Sequence, residues 1–130
     1  MKILVGYSST DVANTALSLA RDHAKIFSAK VLVMTSTEGG SAERLRAIDR
    51  IEARLNAAKK FVEEAGVECE THQLARGMSP GEDIVKFAQD KDVDLIYVGV
   101  RKKSRAQKII LGSTAQFIIL RAPCPVVTVK

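Results

Sequence analysis

The stretch Asp94–Thr114, DLIYVGVRKKSRAQKIILGST, decides the fold. Leu95, Ile96, Tyr97 and Val98 form a short continuous apolar run, the composition of a strand covered on both faces by helices and therefore central in its sheet. Gly99 closes that run. Downstream, Gly112-Ser113-Thr114 opens a helix with small hydroxyls and exposed backbone N–H groups, which hold phosphate through unpaired amides and the helix dipole. A buried strand followed by such a helix start points to an anion site, and among anions to a nucleotide. Arg101, Lys102, Lys103, Arg105 and Lys108 lie between the two with no acid among them. Their place after a central strand favours a phosphate-facing loop over a merely solvated one.

The flanking sequence supplies strands and helices in alternation. Met1–Tyr7 reads as a first strand around Ile3, Leu4 and Val5. Ser8-Ser9-Thr10 can turn the chain and cap a helix beginning near Asp11, whose apolar stripe is Val12, Ala16, Leu19, Ala20, Ala24 and Phe27. Val31–Met34 is a second strand, and Thr35–Ser41, with Gly39-Gly40, is a polar connection. A long helix is expected from Ser41 to about Ala65, stopped by Gly66, with Leu45, Ile48, Leu55, Ala58 and Val62 on its buried side. Val67–Leu74 alternates apolar and polar residues, as an edge strand does. Ser79 as N-cap and Pro80 at the first helical position begin a helix that faces inward through Ile84, Val85, Phe87 and Ala88 and ends before Val93. A fourth helix runs from about Ser113 to Leu120, and Val126–Val129 is the last strand. Five strands alternating with four helices specify an α/β fold, a doubly wound parallel sheet with helices on both faces.

At 130 residues the chain is expected to be one domain, 1–130, burying about two-thirds of its unfolded surface. Hydrophobic residues at 46% and charged ones at 27% argue against disorder. No apolar run approaches the roughly 20 residues of a membrane span, and the N-terminus lacks a signal-peptide layout, so the expected compartment is the cytoplasm. A net charge of +5 favours anionic partners in general. Cys69 and Cys124 have no CxxC spacing and lie in different strand-like segments; both are read as reduced packing residues.

Several of these segments resemble the universal stress protein family in its single-domain, UspA-like form. KILVGYSSTDVANTAL (Lys2–Leu17) is similar to the family's first strand and helix, and APCPVVTVK (Ala122–Lys130) to its end. ATP-binding members carry a glycine, two residues, a second glycine, nine residues, a third glycine and then Ser or Thr; Gly99, Gly112 and Ser113 match, and Lys102 takes the middle glycine's place. The resemblance implies a Rossmann-like, adenine nucleotide alpha hydrolase-like sheet of strand order 3-2-1-4-5. A crevice then opens at the carboxyl ends of strands 1 and 4, where their connections leave to opposite faces. It also implies a stress-response protein binding ATP or AMP, with Mg²⁺ arriving only with the nucleotide, and a homodimer formed through the edge strand Val126 to Val129. Ser8 stands where ATP-binding relatives have an aspartate that contacts the nucleoside. Serine still accepts a hydrogen bond but brings no charge and a shorter reach, and a lysine in place of a glycine adds a cation to the phosphate loop.

The expected nucleotide-binding residues are Ser8, Ser9, Val98, Gly99, Lys102, Gly112, Ser113 and Thr114. Val98 and Val5 would wall the base, Ser8 or Ser9 would touch the nucleoside, and the amides and hydroxyls of the Gly112 segment would hold phosphates, assisted by Lys102, Lys103 or Arg105. No metal cage and no catalytic residue is expected. GxxxxGK[ST] and GxGxxG are missing from the sequence, and neither His23 nor His72 has a Ser or Cys placed by motif to activate. At most, slow ATP hydrolysis would follow from positioned phosphates. The alternative is a dimeric interaction protein that binds no nucleotide. Nucleic-acid binding ranks last, because the two tyrosines, Tyr7 and Tyr97, lie in strands and offer no stacking platform.

Overall fold

The computed structural model describes residues 1–37, 42–100 and 111–130. Within them the chain forms β1 (Lys2–Gly6), α1 (Asp11–Phe27), β2 (Lys30–Ser36), α2 (Ala42–Glu63), β3 (Cys69–Leu74), α3 (Pro80–Asp90), β4 (Leu95–Gly99), α4 (Ser113–Arg121) and β5 (Val126–Val129). The strands make one parallel sheet in the order β3-β2-β1-β4-β5. Ile3 pairs with Val31 on one side and Leu95 on the other, so β1 and β4 lie in the middle of the sheet.

Alternation along the strands divides the core in two. Ile3, Val5, Val31, Val33 and Tyr97 pack against Leu17, Ala20 and Ala24 of α1 and Leu55, Ala58 and Val62 of α2. Leu4, Leu32, Met34, Ile96 and Val98 pack on the other face against Ile84, Val85, Phe87 and Ala88 of α3 and Ile118 of α4. Each fully buried aliphatic side chain contributes on the order of 1.5–3 kcal/mol relative to exposure. That burial on both faces is why β4 reads as an unbroken apolar run, with Tyr97 only 1% exposed.

Local signals explain most boundaries. Thr10 caps α1, its hydroxyl accepting from the Ala13 amide at 3.2 Å. Gly66, at φ +78°, follows α2 where a stop was expected, and its amide donates to the Glu63 carbonyl at 2.9 Å. Pro80 begins α3 as expected, but the Ser79 hydroxyl bonds to Glu82 Oε1 at 2.9 Å and caps no backbone amide.

Two apolar stripes differ from expectation. Phe27 is 47% exposed, because it closes α1 and its ring lies against His23 (centroids 6.0 Å apart) instead of the sheet; Ala13 and Leu17 join the buried side in its stead. In α2, Leu55, Ala58 and Val62 are buried as expected, Ile48 is only partly so, and Ile51 takes the inward position one turn before Leu55. The Leu45 side chain lies outside the described ones.

Candidate functional site at the carboxyl ends of β1 and β4

Parallel pairing of β1 and β4 brings their carboxyl ends together, and the chain leaves β1 toward α1 on one face and β4 toward α4 on the other. A cavity of about 510 Å³ opens at that divergence, within the range of small-ligand sites. Its floor is Gly6, Val98 and Gly99, with Met34 beside them. One flank is Tyr7, Ser8 and Ser9 with Ile51 and Arg54 of α2; the other is Gly112–Ala115 and Ile118 with Pro80 and Ile84 of α3. Thr35, Ser36 and Thr37 finish the rim.

Gly99 is required here by packing. A Cβ on it would lie 2.7 Å from the backbone carbon and oxygen of Val12, so the start of α1 can rest on the end of β4 only if that residue has no side chain. Gly112 precedes α4 in an extended conformation (φ −65°, ψ 160°), and no side chain caps the helix's first amides. Those amides lack intrahelical carbonyl partners by construction and face the positive end of the dipole toward the cavity. Ser113 and Thr114 are exposed beside them.

The rim is braced by hydrogen bonds. The Tyr7 amide donates to the Met34 carbonyl at 2.8 Å, and the Thr35 hydroxyl donates to the Tyr7 carbonyl at 3.1 Å. Ser8 and Thr10 hydroxyls pair at 3.1 Å. The Ser36 hydroxyl donates to Asp83 at 2.6 Å; Asp83, 0% exposed, also accepts from Arg76 Nε at 2.6 Å. This charge-assisted pair joins the ends of β2 and β3 to the first turn of α3 and fixes the wall on that side. Burial pushes the Tyr7 phenol above its ordinary pKa, with the nearby Arg54 charge opposing the rise. The phenol also bonds to Asn14.

Seven of the eight residues expected at the site line the cavity together: Ser8, Ser9, Val98, Gly99, Gly112, Ser113 and Thr114. Lys102 lies outside the described residues, as do Arg101, Lys103, Arg105 and Lys108. Val5, expected as a wall for the base, does not line the cavity. Strand alternation turns it into the core beneath α1, and Gly6 and Tyr7 line the cavity in its place. The sequence reading missed Thr35-Ser36-Thr37, whose hydroxyl run directly after an apolar strand was a legible signal, and Arg54, which carries no local signal.

Neither histidine lines the cavity: His23 Nδ1 bonds to the Tyr97 hydroxyl at 2.5 Å, and the His72 ring lies against Phe87, tilted by 58° with centroids 4.9 Å apart. No group of three or more His, Cys, Asp or Glu among the described residues could hold a metal. Cys69 and Cys124 are both free and stand toward opposite sheet edges. Burial pushes the Cys69 thiol up to about 11.

This is a doubly wound α/β protein with an amide- and hydroxyl-lined crevice at its topological switch point. The model of the Universal stress protein family matches residues 1–130, and the chain belongs to that family. It is 34% identical over 140 residues to a universal stress protein of Methanocaldococcus jannaschii, a match covering 99% of this chain and 81% of the relative. A solved universal stress protein from Archaeoglobus fulgidus superposes with a TM-score of 0.88 at 34% identity, covering 100% of this chain and 93% of the other. A universal stress protein from the same organism, solved in complex with dAMP, gives a TM-score of 0.81 at 30% identity, covering 99% and 96%. No helix of the described residues is long and apolar enough to cross a membrane.

Proposed function

We propose that this chain is an adenine-nucleotide-binding stress-response module, its residues 1–130 acting as one domain. The observation that carries the reading is the convergence of the Ser8-Ser9 turn, Gly99 and the Gly112-Ser113-Thr114 helix start on one cavity of about 510 Å³. The dAMP complex of a 30% identical relative supports an adenine nucleotide as the anion. Phosphates would lie on the amides of Gly112 and Ser113 and on the hydroxyls of Ser113 and Thr114. The base would lie over Val98 and Gly99, with Ser8 or Ser9 touching the nucleoside. Whether the nucleotide is AMP or ATP follows from how many phosphates the α4 start and Lys102 engage, and Mg²⁺ would come with a polyphosphate tail.

The test is direct. Purified protein is denatured and searched for released adenine nucleotide, and its melting is followed with AMP, or with ATP and Mg²⁺. Ligand at a hundredfold its dissociation constant adds about 2.7 kcal/mol of stability. Absence of both the release and the shift would sink the reading.

The second reading, a dimeric interaction protein without nucleotide, draws support from β5, which among the described strands pairs with β4 alone and carries no charged side chain. Both readings include a homodimer through Val126–Val129, and the nucleotide assay separates them.

A further inference from the structure

On the α2 flank of the crevice one cation has no counter-ion among the described residues. Arg54 is half-buried and lines the cavity, and no Asp or Glu lines it among the described residues. Arg21 and Arg76, by contrast, each meet a carboxylate: Arg21 reaches Asp22 at 3.2 Å, and Arg76 pairs with Asp83 and lies 3.9 Å from Asp90. Arg54 makes no ion pair among the described residues.

Its position is set by the core. Ile51 one turn before it, and Leu55, Ala58 and Val62 after it, are buried, so the α2 backbone that carries the guanidinium is held against the sheet. Its charge reaches Tyr7 on the same flank. The amide-rich start of α4 borders the opposite flank of the same cavity. Two positive poles therefore face one partly desolvated space with no acid among its described lining, and a guanidinium in such a place binds a phosphate oxygen more strongly than it binds water.

We infer that Arg54 is a specificity-determining residue of the crevice, pairing with a phosphate oxygen of the bound nucleotide so that the site selects nucleotides over nucleosides. The inference rests on the nucleotide-binding reading, and its test separates the two. Binding of AMP, adenosine and inorganic pyrophosphate is measured by calorimetry on the unaltered protein, Arg54→Gln and Arg54→Lys, with melting temperatures checked for each.

Arg54→Gln should lose AMP affinity by about tenfold or more, keep its affinity for adenosine and its melting temperature, and Arg54→Lys should recover part of the loss. Unchanged AMP binding, or an equal loss for AMP and adenosine, overturns the role of Arg54 and leaves the nucleotide reading standing. Pyrophosphate binding without AMP binding, abolished in Arg54→Gln, overturns the nucleotide reading and keeps Arg54 as the anion contact. An unaltered protein that binds neither AMP nor pyrophosphate overturns both.

Discussion

The two edges of the sheet are finished in opposite ways. At β3, Glu70 and His72 share one face, and Lys30 of β2 donates to Glu70 at 2.6 Å and approaches Glu68 at 3.7 Å. The carboxyl end of the same edge is tied down by Arg76, Asp83 and Ser36. At β5 the sequence is VVTV, without a charge. The amides of Ile96 and Val100 bond to the carbonyls of Pro125 and Val129, so the alternate residues Val126 and Thr128 direct their backbone groups away from β4. Charged side chains guard an edge against pairing with another chain, and their absence leaves it open. The difference gives the β3 side a part in closing the crevice wall and leaves the β5 side open, as the proposed homodimer requires.

The largest effect expected on this contrast comes from the guarded side. Asp83→Ala removes a buried carboxylate and its hydrogen bonds with Ser36 and Arg76, which should cost about 1–3 kcal/mol, read as a loss in chemical-denaturation stability. A loss below about 1 kcal/mol would mean that the pair does not hold that edge. On the open side, Thr128→Pro deletes an outward N–H without touching the β4 ladder. It should convert a dimer to a monomer in sedimentation while circular dichroism is unchanged; a dimer that survives would place the contact elsewhere.

The smallest effect concerns pH. The hydrogen bond from Lys30, first among its causes, holds Glu70 below its ordinary pKa. A carboxylate with a lowered folded-state pKa adds stability above its unfolded value and loses it as pH falls through the folded one. Glu70→Gln should therefore flatten the acid side of the stability curve below about pH 4–5, and an identical curve would show that this exposed ladder contributes nothing measurable.

Much of the fold was legible because its signals are local. The apolar runs of β1, β2 and β4, Thr10 before α1, Gly66 after α2 and Pro80 at the start of α3 each act within a few residues of where they stand. The site was legible in the same measure: the serine turn and the glycine-hydroxyl helix start are motifs of adjacent residues, and both reach the crevice. Phe27, Ile48 and Val5 fell elsewhere than expected because periodicity gives a stripe but not where a helix outruns the sheet, which turn faces inward, or which side of a strand end meets the cavity.

Residue order alone determined the α/β class, the five strands and four helices, and the pieces of an anion site, since propensity, capping and burial pattern are properties of short segments. Only the tertiary structure decided that Arg54, far along the chain from both the serine turn at Ser8-Ser9 and the glycine-hydroxyl start at Gly112-Ser113, shares a cavity with both, and that Asp83 of an ordinary-looking helix start is buried against Arg76 and Ser36. The physical reason is that parallel pairing brings carboxyl ends together from across the whole chain, and a charge acts through space, with no trace of its neighbours in the residues beside it.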